Sequence, residues 1–377
     1  MTEIKFGFCL PIFAWPSAGL FRTPSFEQLD VQRCMQLGVL AEQLGYHSLW
    51  AADHVMLGKD EAILEGWTTL AAVAGMTKRV QLGIIHYNHV FRHPSMTAKM
   101  IATLDQISGG RMIHFVDFGN NQREFLAYGL HDLQGDIDTA RKQRIAEMIE
   151  GLDLTLALWS ADAPITVNGP TYHVKDAVCT PKPLQQPRPA IWMGEVWPGI
   201  VEATVKYADA WNTVPVPVAE LKRRLALLEA ECNVQGRDFA TLEKTLEIQV
   251  LVAPTLDGLR EKLKRMLALV PVAQTPVAQT PVAQTPVAQT PVAQTPAGGT
   301  PNPQVVAFAN GETDELPEEL RTTWLAGTPE QVIARVQECV ELGFTHFMLW
   351  FVDAPDDSGL RLFAEQVMPK INTAVKA

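Results

Sequence analysis

The chain has 377 residues, 47% of them hydrophobic, and a formal net charge of −11. That length admits one large domain or two ordinary ones. The acidic balance argues against nucleic acid or an anionic membrane as the main partner, because both select basic surfaces, while an anionic cofactor stays open because backbone amides at helix starts can bind one. No apolar run reaches the roughly 18 residues of a membrane span. The start, Met1-Thr2-Glu3-Ile4, lacks the basic residues and apolar stretch of a signal peptide, so a cytoplasmic protein is expected. The five cysteines (Cys9, Cys34, Cys179, Cys232 and Cys339) are odd in number and form no CxxC pair, which suits buried free thiols in a reducing compartment.

Strand-like and helix-like runs alternate from the start. Residues 4–12 read as a strand and 29–44 as a helix; 48–52 is a short apolar strand that ends in Asp53-His54. A helix over 66–76 precedes a strand over 80–88. The amphipathic segment 94–107 then stops at Ser108-Gly109-Gly110, and the apolar run 112–118 closes on Gly119 and opens into Asn120-Asn121-Gln122. Helix, glycine turn, strand and small polar loop make half of a βα repeat, with its ligand-facing end at Gly119. A long helix over 139–159 is followed by ITVNGPTYHV at 165–174, where Asn168-Gly169 between β-formers predicts a hairpin.

The second half repeats the pattern. Strands are expected over 190–193, ending at Gly194-Glu195, then over 210–214 and 245–252, with helices over 200–207 and 221–232 between them. Thr328 as N-cap and Pro329 at the first position announce a helix over 330–342. A strand over 344–352 and a helix over 360–368 complete the series. Eight strands with interleaved helices predict a single (β/α)8 barrel spanning 1–377. A doubly wound open sheet is the alternative, but no GxGxxG follows the first strand.

One segment stands outside this pattern. Residues 271–295 are five copies of Pro-Val-Ala-Gln-Thr, followed by Pro296-Ala297-Gly298-Gly299. A proline at every fifth position excludes continuous helix. The low-complexity insert, 271–303, is therefore expected after strand seven as an extended or disordered excursion, with residues 254–323 projecting from the barrel. A tolerated repeat expansion and a lid over the mouth are both open readings.

Polar residues at the C-terminal ends of barrel strands are the first candidates for chemistry. Those ends deliver Asp53-His54, His86-Tyr87-Asn88, Asp117 with Gly119-Asn120-Asn121, Gly194-Glu195, and Trp350 with Asp353. An adjacent carboxylate such as Asp53 can fix the tautomer of His54 and raise its basicity; equally, Asp53 can cap a turn and leave His54 a half-buried surface residue. His86, His89 and His93 have helical metal-ligand spacing, but they fall on a strand and its exit, and no HExxH accompanies them. No metal site is expected. The loops Gly119-Asn120-Asn121 and Gly194-Glu195-Val196-Trp197 lie between strand ends and helices, where amides can hold an anion.

The wording of these segments resembles one family. Ala98-Lys99, Thr103-Leu104-Asp105, Ile107-Ser108 and Gly110-Arg111 are similar to the helix that leads into strand four of bacterial luciferase-like flavin-dependent oxidoreductases. Gly45-Tyr46 with Leu49-Trp50, Ala208-Asp209-Ala210-Trp211-Asn212, and the proline-rich run from Pro181 to Pro189 match in order. The resemblance covers 4–254 and 325–370. It implies that His54 faces the cofactor and substrate. A non-prolyl cis peptide at Ile85-His86 is implied beneath the flavin ring, and the cofactor phosphate near the loops after Gly119 and Gly194. Many relatives have glycine where Glu195 stands, so repulsion between Glu195 and a phosphate is expected.

The implied activity is monooxygenation of a small organic substrate with reduced FMN, supplied by a separate flavin reductase because no nicotinamide-binding segment is visible. The alternative is hydride transfer with a deazaflavin (coenzyme F-420, written F420 below) on the same scaffold. A third reading, from another class, is a non-catalytic flavin-binding barrel. A homodimer or larger homo-oligomer is expected.

Overall fold

A computed structural model describes residues 3–14, 26–119, 121–130, 137–269 and 301–374. Eight parallel strands form a ring: β1 (Lys5–Cys9), β2 (Ser48–Ala52), β3 (Gln81–Ile85), β4 (Met112–Asp117), β5 (Ala190–Gly194), β6 (Ala210–Thr213), β7 (Glu243–Val252) and β8 (Phe344–Phe351). Each pairs with the next, and β8 closes on β1 from Lys5↔His346 to Phe8↔Leu349. Closure establishes the (β/α)8 barrel and removes the open-sheet alternative. The outer layer comprises α1 (Val31–Gln43), α2 (Gly66–Met76), α3 (Pro94–Ser108), α4 (Ile137–Ser160), α5 (Ile200–Tyr207), α6 (Val218–Gln235), α7 (Pro329–Glu341) and α8, which runs from Ser358–Leu362 through a π turn at Phe363–Val367 into Met368–Ala374. Among the described residues, no helix is long and apolar enough to cross a membrane.

The barrel is plugged below its mouth. Trp50 on β2 is fully buried and packs against Trp192 and Phe115 at 4.9 and 6.2 Å. Its ring lies where side chains of β1 and β3 would otherwise be: a Cβ at Gly83 would sit 2.1 Å from Trp50, and one at Gly7 would sit 2.7 Å from its Nε1. Two glycines therefore make room for one tryptophan, whose Nε1 donates to Ser48 Oγ. The mouth rests on a packed floor.

The family-like motif at 98–111 is scaffolding at the opposite end. Arg111, just before β4, donates to the carbonyls of Ala74, Thr77, Val80 and Ser108. Asp105 is fully buried and accepts from the amides of Met112, Leu184 and Gln185. Together they satisfy backbone groups that turns leave unpaired, and they fix the register of α3 against β4.

Four differences from the sequence reading stand out. The strand expected over 80–88 breaks at His86, and Tyr87–Asn88 resumes pairing with Val116 and Asp117. The hairpin forms from Ile165–Asn168 and His173–Ala177, but its turn is wider than Asn168-Gly169, closed by Gly169 N to Tyr172 O at 3.0 Å. A short strand, Trp324–Gly327, adds to the outer half of β7; four residues beyond a proline-rich stretch carry too little periodicity to be read. Lastly, the described flanks of the insert do not project. Helices Leu256–Ala268, Pro303–Asn310 and Glu318–Thr323 bury Leu259, Leu263, Phe308 and Leu320 against Leu251 and Val352 in a second small core. The five-residue repeat itself lies outside the described residues.

Candidate active site at the mouth of the barrel

The end of β2 positions His54. Its Nδ1 lies 2.9 Å from Glu124 Oε2, while Glu124 Oε1 accepts the amides of Val55 and Met56 at 3.1 and 2.9 Å. Glu124 is fully buried and sits in a one-turn-plus helix, Gln122–Ala127, after the β4 loop. A carboxylate can only accept, so Nδ1 of His54 carries the hydrogen. That leaves Nε2 as the basic nitrogen, on a side chain 29% exposed. The sequence leaves Asp53 open as the orienting acid or as a turn cap; in the structure the acid at Nδ1 is Glu124. Neighbouring residues at a strand end point to opposite sides, and Asp53 turns away to accept Arg92 Nη1 at 2.8 and 2.9 Å and the amide of Asn88 at 2.9 Å. Burial pushes the Asp53 pKa up, against the pull of Arg92 and that amide. Glu124 escaped notice because it falls three residues after Asn121, where an acidic residue ordinarily reads as helix-start capping.

The β3 exit carries the cis peptide Ile85-His86. His86 lies between two acids, with Nδ1 3.7 Å from Asp117 Oδ2 and Nε2 3.3 Å from Glu247 Oε2. Asn88 is buried and its amide oxygen caps Val90 N. Gly119 packs directly on it: a Cβ there would lie 2.2 Å from Asn88 Oδ1, and its φ of +68° also favours glycine. His89 turns to Glu147 at 3.7 Å, and the ring of His93 caps α3. The three histidines thus face three different places.

Across the mouth, the ends of β4 and β5 approach the N-terminal half of α4. Asn121 is buried at the start of the Gln122–Ala127 helix, and Asn120 lies outside the described residues. Gly194, Glu195, Val196 and Trp197 form the second loop. Glu195 adopts φ +70°, a conformation that glycine takes without cost. Its carboxylate is held by buried Arg224, Nη1 to Oε2 at 3.1 Å, and its carbonyl accepts Trp211 Nε1. The acid therefore has a compensating charge, which it shares with Glu220, and this weakens the expected repulsion of a phosphate. Arg141 of α4 covers Trp197, its guanidinium 4.0 Å from the ring centre, and Ile145 Cγ2 lies 3.2 Å from the position of a Gly199 Cβ.

Between these contacts sits Arg144, which sequence reading passed over as one charge on an amphipathic helix. It is 6% exposed, and its Nε is buried with no hydrogen-bond partner. Among the described residues, no ion pair engages its guanidinium. Burial lowers its pKa and Arg141 adds to that, opposed by Glu147 and Asp117. A buried guanidinium N–H left without a hydrogen bond is costly. An oxygen-rich anion lodged between the two loops would satisfy it, so the residues present fit a phosphate-bearing cofactor.

The β8 end is structural. Trp350 Nε1 donates to Glu247 Oε1 at 2.7 Å, and Asp353 pairs with buried Lys262, tying Leu256–Ala268 to the barrel.

Comparison with known proteins agrees with this architecture. Residues 4–346 match the model of the luciferase-like monooxygenase family. The chain is 23% identical over 354 residues to a protein of Microbacterium testaceum named F420-dependent glucose-6-phosphate dehydrogenase, covering 92% of this chain and 95% of that protein. It is 26% identical over 363 residues, at the same coverages, to one of the same name from Beutenbergia cavernae. Among solved structures, an F420-dependent secondary alcohol dehydrogenase superposes with a TM-score of 0.69 at 20% identity, covering 98% of this chain and 99% of that one. A long-chain alkane monooxygenase superposes with a TM-score of 0.71 at 17% identity, covering 100% and 92%. With a closed parallel barrel and a family match over nearly its whole length, this chain belongs to the luciferase-like monooxygenase family and is an oxidoreductase.

Proposed function

We propose that the protein is an F420-dependent oxidoreductase that moves a hydride between the deazaflavin and the carbon of an alcohol or carbonyl compound. One observation carries the chemistry: the His54–Glu124 pair, a solvent-reachable imidazole whose free nitrogen is fixed by a buried carboxylate. Oxidising an alcohol needs a base for the hydroxyl proton as the hydride leaves carbon, and the reverse reaction needs an acid for the developing alkoxide. His54 Nε2 would accept or return that proton, and Glu124 would stabilise the imidazolium and hold its tautomer, as the buried acid does in a hydrolase triad.

The cofactor preference rests on the relatives. The sequence reading put reduced FMN first and F420 second; the dehydrogenases that match over nine-tenths of the chain carry F420 in their names, which reverses that order. When bound, the deazaflavin supplies a hydride acceptor or donor that does not activate dioxygen. Arg144, with the loops after Gly119 and Gly194, would hold the cofactor phosphate, and the β3 exit would support its ring. The packed floor at Trp50 keeps water from entering below.

Anaerobic incubation of the protein with oxidised F420 and a panel of secondary alcohols, aldehydes and sugar phosphates tests this. Loss of the oxidised deazaflavin absorbance with a member of the panel is expected. Turnover only with reduced FMN and dioxygen would overturn the proposal in favour of monooxygenation, and no binding of either cofactor would favour a non-catalytic barrel.

A further inference from the structure

His86 is not needed as the acid–base group of the proposed reaction, yet it occupies the centre of the mouth. Its two ring nitrogens face different acids on different strands, Asp117 at the end of β4 and Glu247 on β7. Glu247 is itself held by Trp350 Nε1, and the His86 ring packs edge-on to Phe115 at 4.5 Å. Neither contact is an aligned hydrogen bond; what the two carboxylates supply is negative charge within 4 Å of the ring. Nearby opposite charges favour the charged form, and here there are two. The side chain keeps 28% exposure whereas Glu247 keeps 5%, so the positive group is more open to the mouth than the acid on β7.

We propose that His86 is held as a cation at neutral pH and sets the redox preference of a bound flavin ring, whose oxidised form is neutral, favouring the reduced form over the oxidised form. This rests on the reading that a ring cofactor lies across the β3 exit. Uptake of two electrons and one proton turns the neutral flavin ring into one with a single negative charge. A cation at the β3 exit lowers the energy of that state and leaves the neutral state nearly untouched. Loss of the imidazolium acts in the same direction twice, because it also leaves Asp117 and Glu247 uncompensated.

FMN is the suitable probe, since its oxidised ring is neutral. The dissociation constants of oxidised and reduced FMN would be measured anaerobically for the wild type, His86→Gln and His86→Lys, with F420 binding run alongside. Nitrogen-15 spectra of histidine-labelled protein would read the charge of His86 directly. Both ring nitrogens should be protonated at pH 7.5. In His86→Gln, the ratio of reduced to oxidised dissociation constants should rise about tenfold or more, which is about 30 mV per tenfold for a two-electron couple. His86→Lys, which keeps the charge, should restore the ratio. A neutral imidazole spectrum, or an equal change in both constants, would overturn the proposal and leave the cofactor reading intact. Failure of FMN and F420 alike to bind the wild type would instead bring down the cofactor reading, and this proposal with it.

Discussion

The two sides of the barrel mouth treat polar groups in opposite ways. On the side of β2 and β3, His54 is hydrogen-bonded by Glu124 and Asp53 by Arg92 and the Asn88 amide, and His86 lies within 4 Å of Asp117 and Glu247. On the side of β4 and β5, Arg144 is buried with its Nε unsatisfied. Groups that take part in a reaction gain from being fixed before substrate arrives. A group that binds a ligand must leave its best partner out of the folded chain. Under the proposed function, the contrast would separate reacting residues from anchoring ones, and mutation of the two sides should have opposite signatures.

The largest effect belongs to the paired side. His54→Ala should slow the chemical step by about 10²–10⁴-fold, with the cofactor dissociation constant changed only a few-fold, because an acid–base contact acts on the transition state. Single-turnover kinetics at saturating cofactor read this. An unchanged rate would remove His54 from the reaction and dissolve the contrast.

A histidine behind the mouth supplies the control. His114 on β4 is buried with Nδ1 unsatisfied, and burial pulls its pKa down to about 3. The unfolded chain binds the proton near the ordinary value of 6.5 and the folded chain does not. Stability should therefore fall as pH drops from 6.5 toward 3, by up to roughly 3–5 kcal/mol from this residue. His346, also lowered by burial, adds in the same direction. Urea denaturation at pH 7 and pH 5 should show His114→Phe losing less stability than the wild type over that interval, with cofactor affinity unaltered. An equal loss in both proteins would mean that His114 is already protonated in the fold.

Next in size is the Arg144 side. Arg144→Met should weaken F420 or FMN binding by about 10–100-fold, the worth of one charged hydrogen bond to an anion. It should leave the melting temperature unchanged or raised, since a buried charge with an unsatisfied N–H is removed. A falling melting temperature with unchanged affinity would show that Arg144 supports the fold and anchors nothing.

Glu195 should give the smallest change. Its carboxylate is paired with Arg224, so Glu195→Gln should cost about 1–2 kcal/mol of stability. Glu195→Gly should cost about 1 kcal/mol less, because glycine accepts the φ of +70° without strain. Cofactor affinity should move little in either. A marked tightening would revive the idea that this acid repels the phosphate.

The sequence carried the barrel well because parallel strands buried on both faces leave short apolar runs between amphipathic helices. It also located the strand ends, and with them His54, His86 and Gly119. It could not show partners that meet only in space. Glu124 lies 70 residues from His54 and reads as a capping acid, Arg224 lies 29 residues beyond Glu195, and Arg144 sits among charges that look like a solvated helix face. The segment whose wording resembles the family, Ala98 to Arg111, is scaffolding at the far end, where Arg111 and Asp105 tie turns together. Similarity located the family there; the chemistry depends on contacts between strands that no single segment records.

The most direct test of hydride transfer by the His54–Glu124 site is isotopic. An alcohol that bleaches oxidised F420 in the anaerobic screen would be prepared with deuterium on its carbinol carbon and turned over once with the protein. Deuterium should appear on the reduced deazaflavin, with none lost to solvent and no dioxygen required. A product carrying an oxygen atom from dioxygen, with no deuterium on the cofactor, would contradict hydride transfer and return the protein to the monooxygenases.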